Sequence, residues 1–140
     1  LEKNKVLYRI SGGFAARIYG SKRQLVDIDI EIPDKSFEKI LPEVKKYILK
    51  GPNKYKDKNW DIYGLSLKFK GQEIGLTGSD SGRIFDKNKK RWVKFKVNFS
   101  KIIRKKIYGK IVKIIGKEDL IDYKNKIKRR VDIKDIKAIN

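Results

Sequence analysis

The order of strand-like and helix-like segments predicts an α+β fold that closes on a C-terminal helical hairpin. Three observations carry this. Residues 25–32 alternate like a half-buried strand, Gly12-Gly13 marks a turn from strand to helix, and residues 119–128 and 132–139 repeat apolar side chains at helical intervals. A length of 140 residues is that of one domain, taken as residues 1–140 with residues 117–140 forming the hairpin packed on it.

Each element follows from its composition. Residues 6–10 (VLYRI) are β-branched and aromatic and run into Ser11-Gly12-Gly13, a strand entering a tight turn. Residues 14–19 take helical spacing, closed by Gly20. In residues 25–32 (LVDIDIEI), Val26, Ile28, Ile30 and Ile32 share one face while Asp27, Asp29 and Glu31 share the other. Pro33 stops that strand. Residues 36–50 read as a helix with Phe37, Ile40, Leu41, Val44, Tyr47 and Ile48 on one face, against the pattern only at Pro42, and Gly51 follows its end. Residues 51–58 read as a polar loop, 61–69 and 72–77 as strands paired across Lys70-Gly71, 78–90 as a second loop, and 91–99 as an alternating strand. Residues 101–115 fit strand and helix equally. Residues 1–5 read as the end of a helix and the sequence opens on Leu1, so an upstream segment is expected.

Composition narrows the chemistry. The absence of Cys and His excludes disulfides, thiolate nucleophiles, Cys/His zinc sites and His-centred triads, leaving carboxylates, Lys, Arg, Ser, Tyr or a hard metal. A hydrophobic share of 39% with 11% aromatics is too high for a charged disordered tail. No apolar run approaches the ~20 residues of a membrane span and the N-terminus is polar, so a cytoplasmic protein without membrane contact is expected. The 37 Lys and Arg against 17 Asp and Glu give a net charge of +20. Lysine enrichment also accompanies heat adaptation, but that raises Glu with it, so a polyanionic partner explains the surplus better. Lys90, Arg91, Trp92, Lys94 and Lys96 interleave an aromatic ring with cations, as suits single-stranded bases. The other reading is a core aromatic on a polar-edged strand.

Asp27 and Asp29 are two apart on a strand, which sets their carboxylates on one side, about 6 to 7 Å apart. Unrelieved, that costs on the order of 2 to 3 kcal/mol at an effective dielectric near 20. A divalent cation removes the conflict, and an all-oxygen set suits Mg²⁺ with water and phosphate ligands. A solvated edge strand is the alternative. Upstream, Gly12 and Gly13 place backbone N–H groups and a positive helix end where a phosphate can lie. Ser21 and Arg23, in the connection to the acidic strand, offer a hydroxyl and a guanidinium to the same phosphates.

The stretch at residues 11–32, SGGFAARIYGSKRQLVDIDIEI, resembles the first motif of the DNA polymerase beta-type nucleotidyltransferase superfamily. The likeness is strongest to its small bacterial and archaeal members, among them abortive-infection toxin and aminoglycoside nucleotidyltransferases. Gly12, Gly13, Asp27 and Asp29 match the pattern. The resemblance implies a small mixed sheet backed by helices, two Mg²⁺ ions, and transfer of a nucleoside monophosphate from ATP or another nucleoside triphosphate to an acceptor hydroxyl. It also implies a third carboxylate from a later strand, best matched by Glu73, with Asp80 as a loop alternative. Residues 118–136 (EDLIDYKNKIKRRVDIKDI) are similar to the C-terminal helices of toxin-like members through Asp119, Lys124, Asp132 and Asp135, with Lys124 directed at the triphosphate. The expectation is an RNA acceptor, a transfer RNA 3′ end, for an enzyme acting as a toxin and neutralised by an acidic antitoxin. The alternatives are a small-molecule, aminoglycoside-type enzyme and a non-catalytic basic module that binds RNA or protein.

Overall fold

Alternation in the acidic strand decides where the sheet is buried, because its isoleucines and its carboxylates must face different surroundings. The computed structural model describes residue 1 and residues 3–139. Its strands are β1 (Arg9–Ser11), β2 (Asp27–Ile32), β3 (Ile48–Lys56), β4 (Trp60–Phe69), β5 (Gln72–Gly78), β6 (Arg83–Asp86), β7 (Arg91–Lys94), β8 (Ile103–Ile107) and β9 (Lys110–Ile114). The helices are α1 (Gly12–Ile18), α2 (Phe37–Val44), α3 (Lys117–Ile127) and α4 (Arg130–Ile139). Among the described residues the strands form one sheet in the order β7-β6-β4-β5-β2-β1-β9-β8, with β3 pairing on β4.

β2 lies inside this sheet, antiparallel to β1 and parallel to β5, so the sheet is mixed and the fold is α+β. Ile30 pairs across to Ile10 on one side and Leu76 on the other, and Ile10 pairs with Ile114 of β9. These residues, with Ile32, Leu65 and the α2 residues Phe37 and Ile40, make one core. Burying each such side chain is worth roughly 2 kcal/mol. A second core joins Ala15 and Ala16 of α1 to Leu120, Tyr123 and Ile127 of α3, Ile139 of α4, and Ile84 and Phe95. The C-terminal hairpin is present, and it packs on the helix that follows Gly12.

Several segments differ from the expectation. Most of residues 51–58 are no loop: residues 51–56 belong to β3, which pairs with β4, so its lysines stay in water while its backbone is satisfied on one side, and only residues 57 and 58 lie in the connection to β4. The shift of register between Lys50 and Asn53 accommodates Gly51-Pro52. The predicted helix over residues 36–50 is shorter, since Pro42 removes a donor and the chain leaves α2 at Val44 through a 3₁₀ turn, Lys45–Tyr47. Residues 78–90 contain β6, and the strand begun at Arg91 leaves the ladder after Lys94. Residues 103–114 form a hairpin across Tyr108-Gly109, both at positive φ, the conformation a two-residue hairpin turn requires. Residues 3–5 are a turn, in which Val6 N–H bonds the Leu1 carbonyl. No helix among the described residues is long and apolar enough to cross a membrane.

Candidate active site

Register brings the two predicted motifs together. Ser11, the last residue of β1, pairs with Asp29, so α1 begins against the carboxylates of β2. Gly12 opens that helix at φ +59, and a Cβ there would lie 2.2 Å from Asp29 Oδ2, so any side chain at this position strains the backbone and forces the carboxylate to move. The Gly12 N–H donates to the Tyr123 hydroxyl oxygen at 3.0 Å, and Ser11 Oγ donates to it at 3.3 Å. Burial, followed by the negative charge of Glu31, raises the Tyr123 hydroxyl and keeps it protonated.

Asp27, Asp29 and Glu31 face a cleft of about 520 Å³ that Gly12, Gly13 and Arg23 also line. Burial first, then the charges of Asp27 and Glu31, push the Asp29 carboxyl up to about 7, against the opposing pull of Arg129 and Lys124. Glu31 is spent elsewhere: it bonds the buried Arg9 guanidinium, and its remaining upward shift comes from burial. Two carboxylates sharing a cleft, one short of countercharge, form an oxygen donor set suited to a hard cation that takes its other ligands from water and phosphate.

The third carboxylate does not join them. Glu73 pairs in register with Asp27 across the parallel β2/β5 ladder, but it is exposed and does not line the cleft. The β5 residue opposite Asp29 is Gly75, where a Cβ would stand 3.2 Å from Asp29 Oδ1. Asp80 lies past the other end of β2, where it accepts the Asp34 N–H at 2.8 Å and cannot serve Asp27. Among the described residues no group of three or more His, Cys, Asp or Glu side chains is placed to hold a metal.

Behind the glycine turn stands a buried ion network. Lys124 Nζ is 2.9 Å from Asp132 and 3.0 Å from Asp135, and all three side chains are at most 1% exposed. Ser21 Oγ donates to Asp135 at 2.7 Å, Arg23 donates to both of its oxygens at 2.9 and 3.2 Å, and Arg129 pairs with Asp132 at 2.8 Å. Burial alone would raise Asp135, but the bonds from Arg23, Ser21 and Lys124 outweigh it and hold the carboxyl down to about 2. The structure therefore corrects Lys124: its ammonium is enclosed between two aspartates and reaches no ligand surface. Ser21 is likewise buried on Asp135, whereas Arg23 keeps a face on the cleft beside Gly13.

Arg129 also lines the cleft, and its charge acts on Asp29. Sequence reasoning missed it, because it sits in the basic run Lys128-Arg129-Arg130, which reads as solvated charge between helices. Tyr123 was missed as well. Its spacing from Leu120 and Ile127 marks it as interior, but nothing in the sequence ties its hydroxyl to Gly12.

Of the proposed nucleic-acid contacts, Lys90, Arg91, Lys94 and Lys96 are exposed; Arg91 and Lys94 lie on the edge strand β7, with Lys90 before it and Lys96 past its end. Trp92 is half-buried, edge-on to Phe85 and covered by Lys56 and Arg83, so it presents no free stacking platform.

The arrangement is that of the nucleotidyltransferase fold. The chain is similar over 98% of its length to a Thermotoga maritima protein, TM1012, provisionally assigned as a nucleotidyltransferase, covering 83% of that chain with a TM-score of 0.75 at 15% identity. It is also similar to ANT(2″)-Ia in complex with adenylyl-2″-tobramycin, at a TM-score of 0.61 and 13% identity, with 99% of this chain and 80% of that one aligned. The solution structure of that antibiotic-resistance factor aligns with a TM-score of 0.58 at 17% identity, over 99% of this chain and 74% of the other. No protein-family model and no curated protein matches the sequence.

Proposed function

We propose that the chain is a metal-dependent nucleotidyltransferase that moves a nucleoside monophosphate from a nucleoside triphosphate to an acceptor hydroxyl. The observation that supports this is the seat of Asp29: a carboxylate short of countercharge, set directly against Gly12, in a cleft with two arginines. Asp27 and Asp29 would hold Mg²⁺, which when bound polarises the α-phosphate and stabilises the leaving oxygen. Arg23 and Arg129 receive the outer phosphates of the triphosphate, each keeping its orientation through Asp135 or Asp132. Gly12 and Gly13 let those phosphates approach the backbone. Glu73 is the β5 carboxylate level with Asp27, and Glu73→Gln measures whether it acts on the acceptor hydroxyl.

An RNA acceptor accords with the charge of +20, which attracts polyanions and repels aminoglycoside cations. The likeness to ANT(2″)-Ia favours a second reading, a small-molecule acceptor. Purified protein incubated with each labelled triphosphate, Mg²⁺ and either total RNA or an aminoglycoside separates the two. Asp29→Asn is expected to lower incorporation by several decades, on the order of 10³-fold or more. Equal turnover by Asp29→Asn and the unaltered protein would overturn the assignment.

A further inference from the structure

A second pocket of about 420 Å³ opens beside the cleft, and Phe95 and Tyr123 line both. The two share one sheet face, since Arg9 at the second pocket and Ser11 at the cleft are alternate residues of β1, about 7 Å apart. Six cationic residues line the second pocket: Arg9, Lys89, Lys94, Lys96, Lys101 and Lys126. Three aspartates oppose them, and each is engaged. Asp122 pairs with Lys126 at 3.0 Å, Asp119 lies 3.9 Å from Arg9, and Asp86 accepts the N–H groups of Asn88 and Lys89. Lys89, Lys94, Lys96 and Lys101 carry no ion pair among the described residues. Four ammonium groups without an ion-pair partner, against Asp86 held only by backbone N–H groups and Asp119 at the far reach of Arg9, leave the concavity net positive and suited to a chain of phosphates rather than to one anion.

We propose that this pocket binds the backbone of a single-stranded polynucleotide whose terminal hydroxyl enters the cleft across Phe95 and Tyr123, which rests on the transfer reading for the word acceptor. Another basic surface, the β8/β9 hairpin, carries Arg104, Lys105, Lys106 and Lys110 exposed on a strand edge, and none of its residues lines the cleft. Its Tyr108 turn lies six residues before Ile114, the residue level with Ile10, and so about 20 Å from that level.

The test is fluorescence anisotropy of a short labelled oligoribonucleotide, without nucleotide or Mg²⁺, across a salt series. Binding should fall with a slope near −3 in log–log form, about 0.7 for each of four lysines. Lys94→Gln/Lys96→Gln should weaken binding about 25-fold at about 0.1 M salt and flatten the slope by about 1.4. Both positions are exposed, so an unchanged thermal melt confirms the fold. Arg104→Gln/Lys106→Gln should have much the smaller effect. Equal or greater loss from the hairpin pair overturns the proposal, as does displacement of the oligonucleotide by polyglutamate at matching charge concentration. Incorporation is read separately. RNA binding through Lys94 and Lys96 with no transfer from any triphosphate would refute the enzymatic reading while the pocket stands. Transfer to a small acceptor with no RNA binding would refute the pocket while the enzyme stands.

Discussion

Lys124→Met is the sharpest probe of the framework behind the cleft. The ammonium sits 2.9 and 3.0 Å from two carboxylates that water does not reach. At an effective dielectric near 20, each contact is worth about 6 kcal/mol before the cost of desolvating the charges is subtracted. Arg129 still holds Asp132 and Arg23 still holds Asp135 in the variant, so neither carboxylate is stranded completely. The net loss is therefore set at about 3 kcal/mol, the lower end for breaking a buried pair. For a chain of this size that lowers the melting temperature by roughly 10 °C. Urea titration and thermal melting followed by circular dichroism measure both quantities, and Lys124→Met/Asp132→Asn should lose less than the two single variants added together. A loss under about 1 kcal/mol would refute the reasoning, because the ammonium would then not be the shared counterion of the two aspartates.

Three further outcomes are expected. Gly12→Ala meets Asp29 Oδ2 and an unfavourable φ together, so it should cost about 1 to 2 kcal/mol in stability and remove nucleotide incorporation; a fully active Ala variant would contradict the packing of Asp29. Tyr123→Phe leaves the buried Gly12 N–H without its acceptor and should cost about 1 to 3 kcal/mol by urea titration, with an unchanged melt as the contrary result. Asp135 has a folded-state carboxyl held down to about 2, below its unfolded value, so it contributes stability on the order of 2 kcal/mol that is fully present above about pH 5 and lost as the pH falls toward 2. Asp135→Asn should flatten that acid limb, and an identical limb in the variant would remove Asp135 as its source.

What the sequence made legible was whatever rested on local period. The alternation of residues 25–32 located β2, and the glycine pair located the start of α1, because each is a property of a few consecutive residues. The spacing of Leu120, Tyr123 and Ile127 likewise revealed α3. β3 was hidden because Lys54, Tyr55 and Lys56 lie on a strand with one open edge, where polar side chains cost nothing and the period of two is lost. The residues behind the cleft were hidden for another reason. Lys124 looks like one lysine among 29, and only tertiary packing sets it between Asp132 and Asp135. Arg129 gained its place at the cleft in the same way.

The tie between Asp135 and the Ser21–Arg23 connection also sets a timetable. α4 is the last described element to leave the ribosome, yet it orients the arginine that stands beside Gly13 near the start of the chain. A nascent polypeptide that already possesses its acidic strand and its glycine bend thus lacks the Asp135 anchor of Arg23, and so a finished cleft wall, until translation has passed residue 135. On the proposed function, activity would switch on only once α4 has docked on that connection, and fragments ending before Asp135 would carry the charged surface without the reaction.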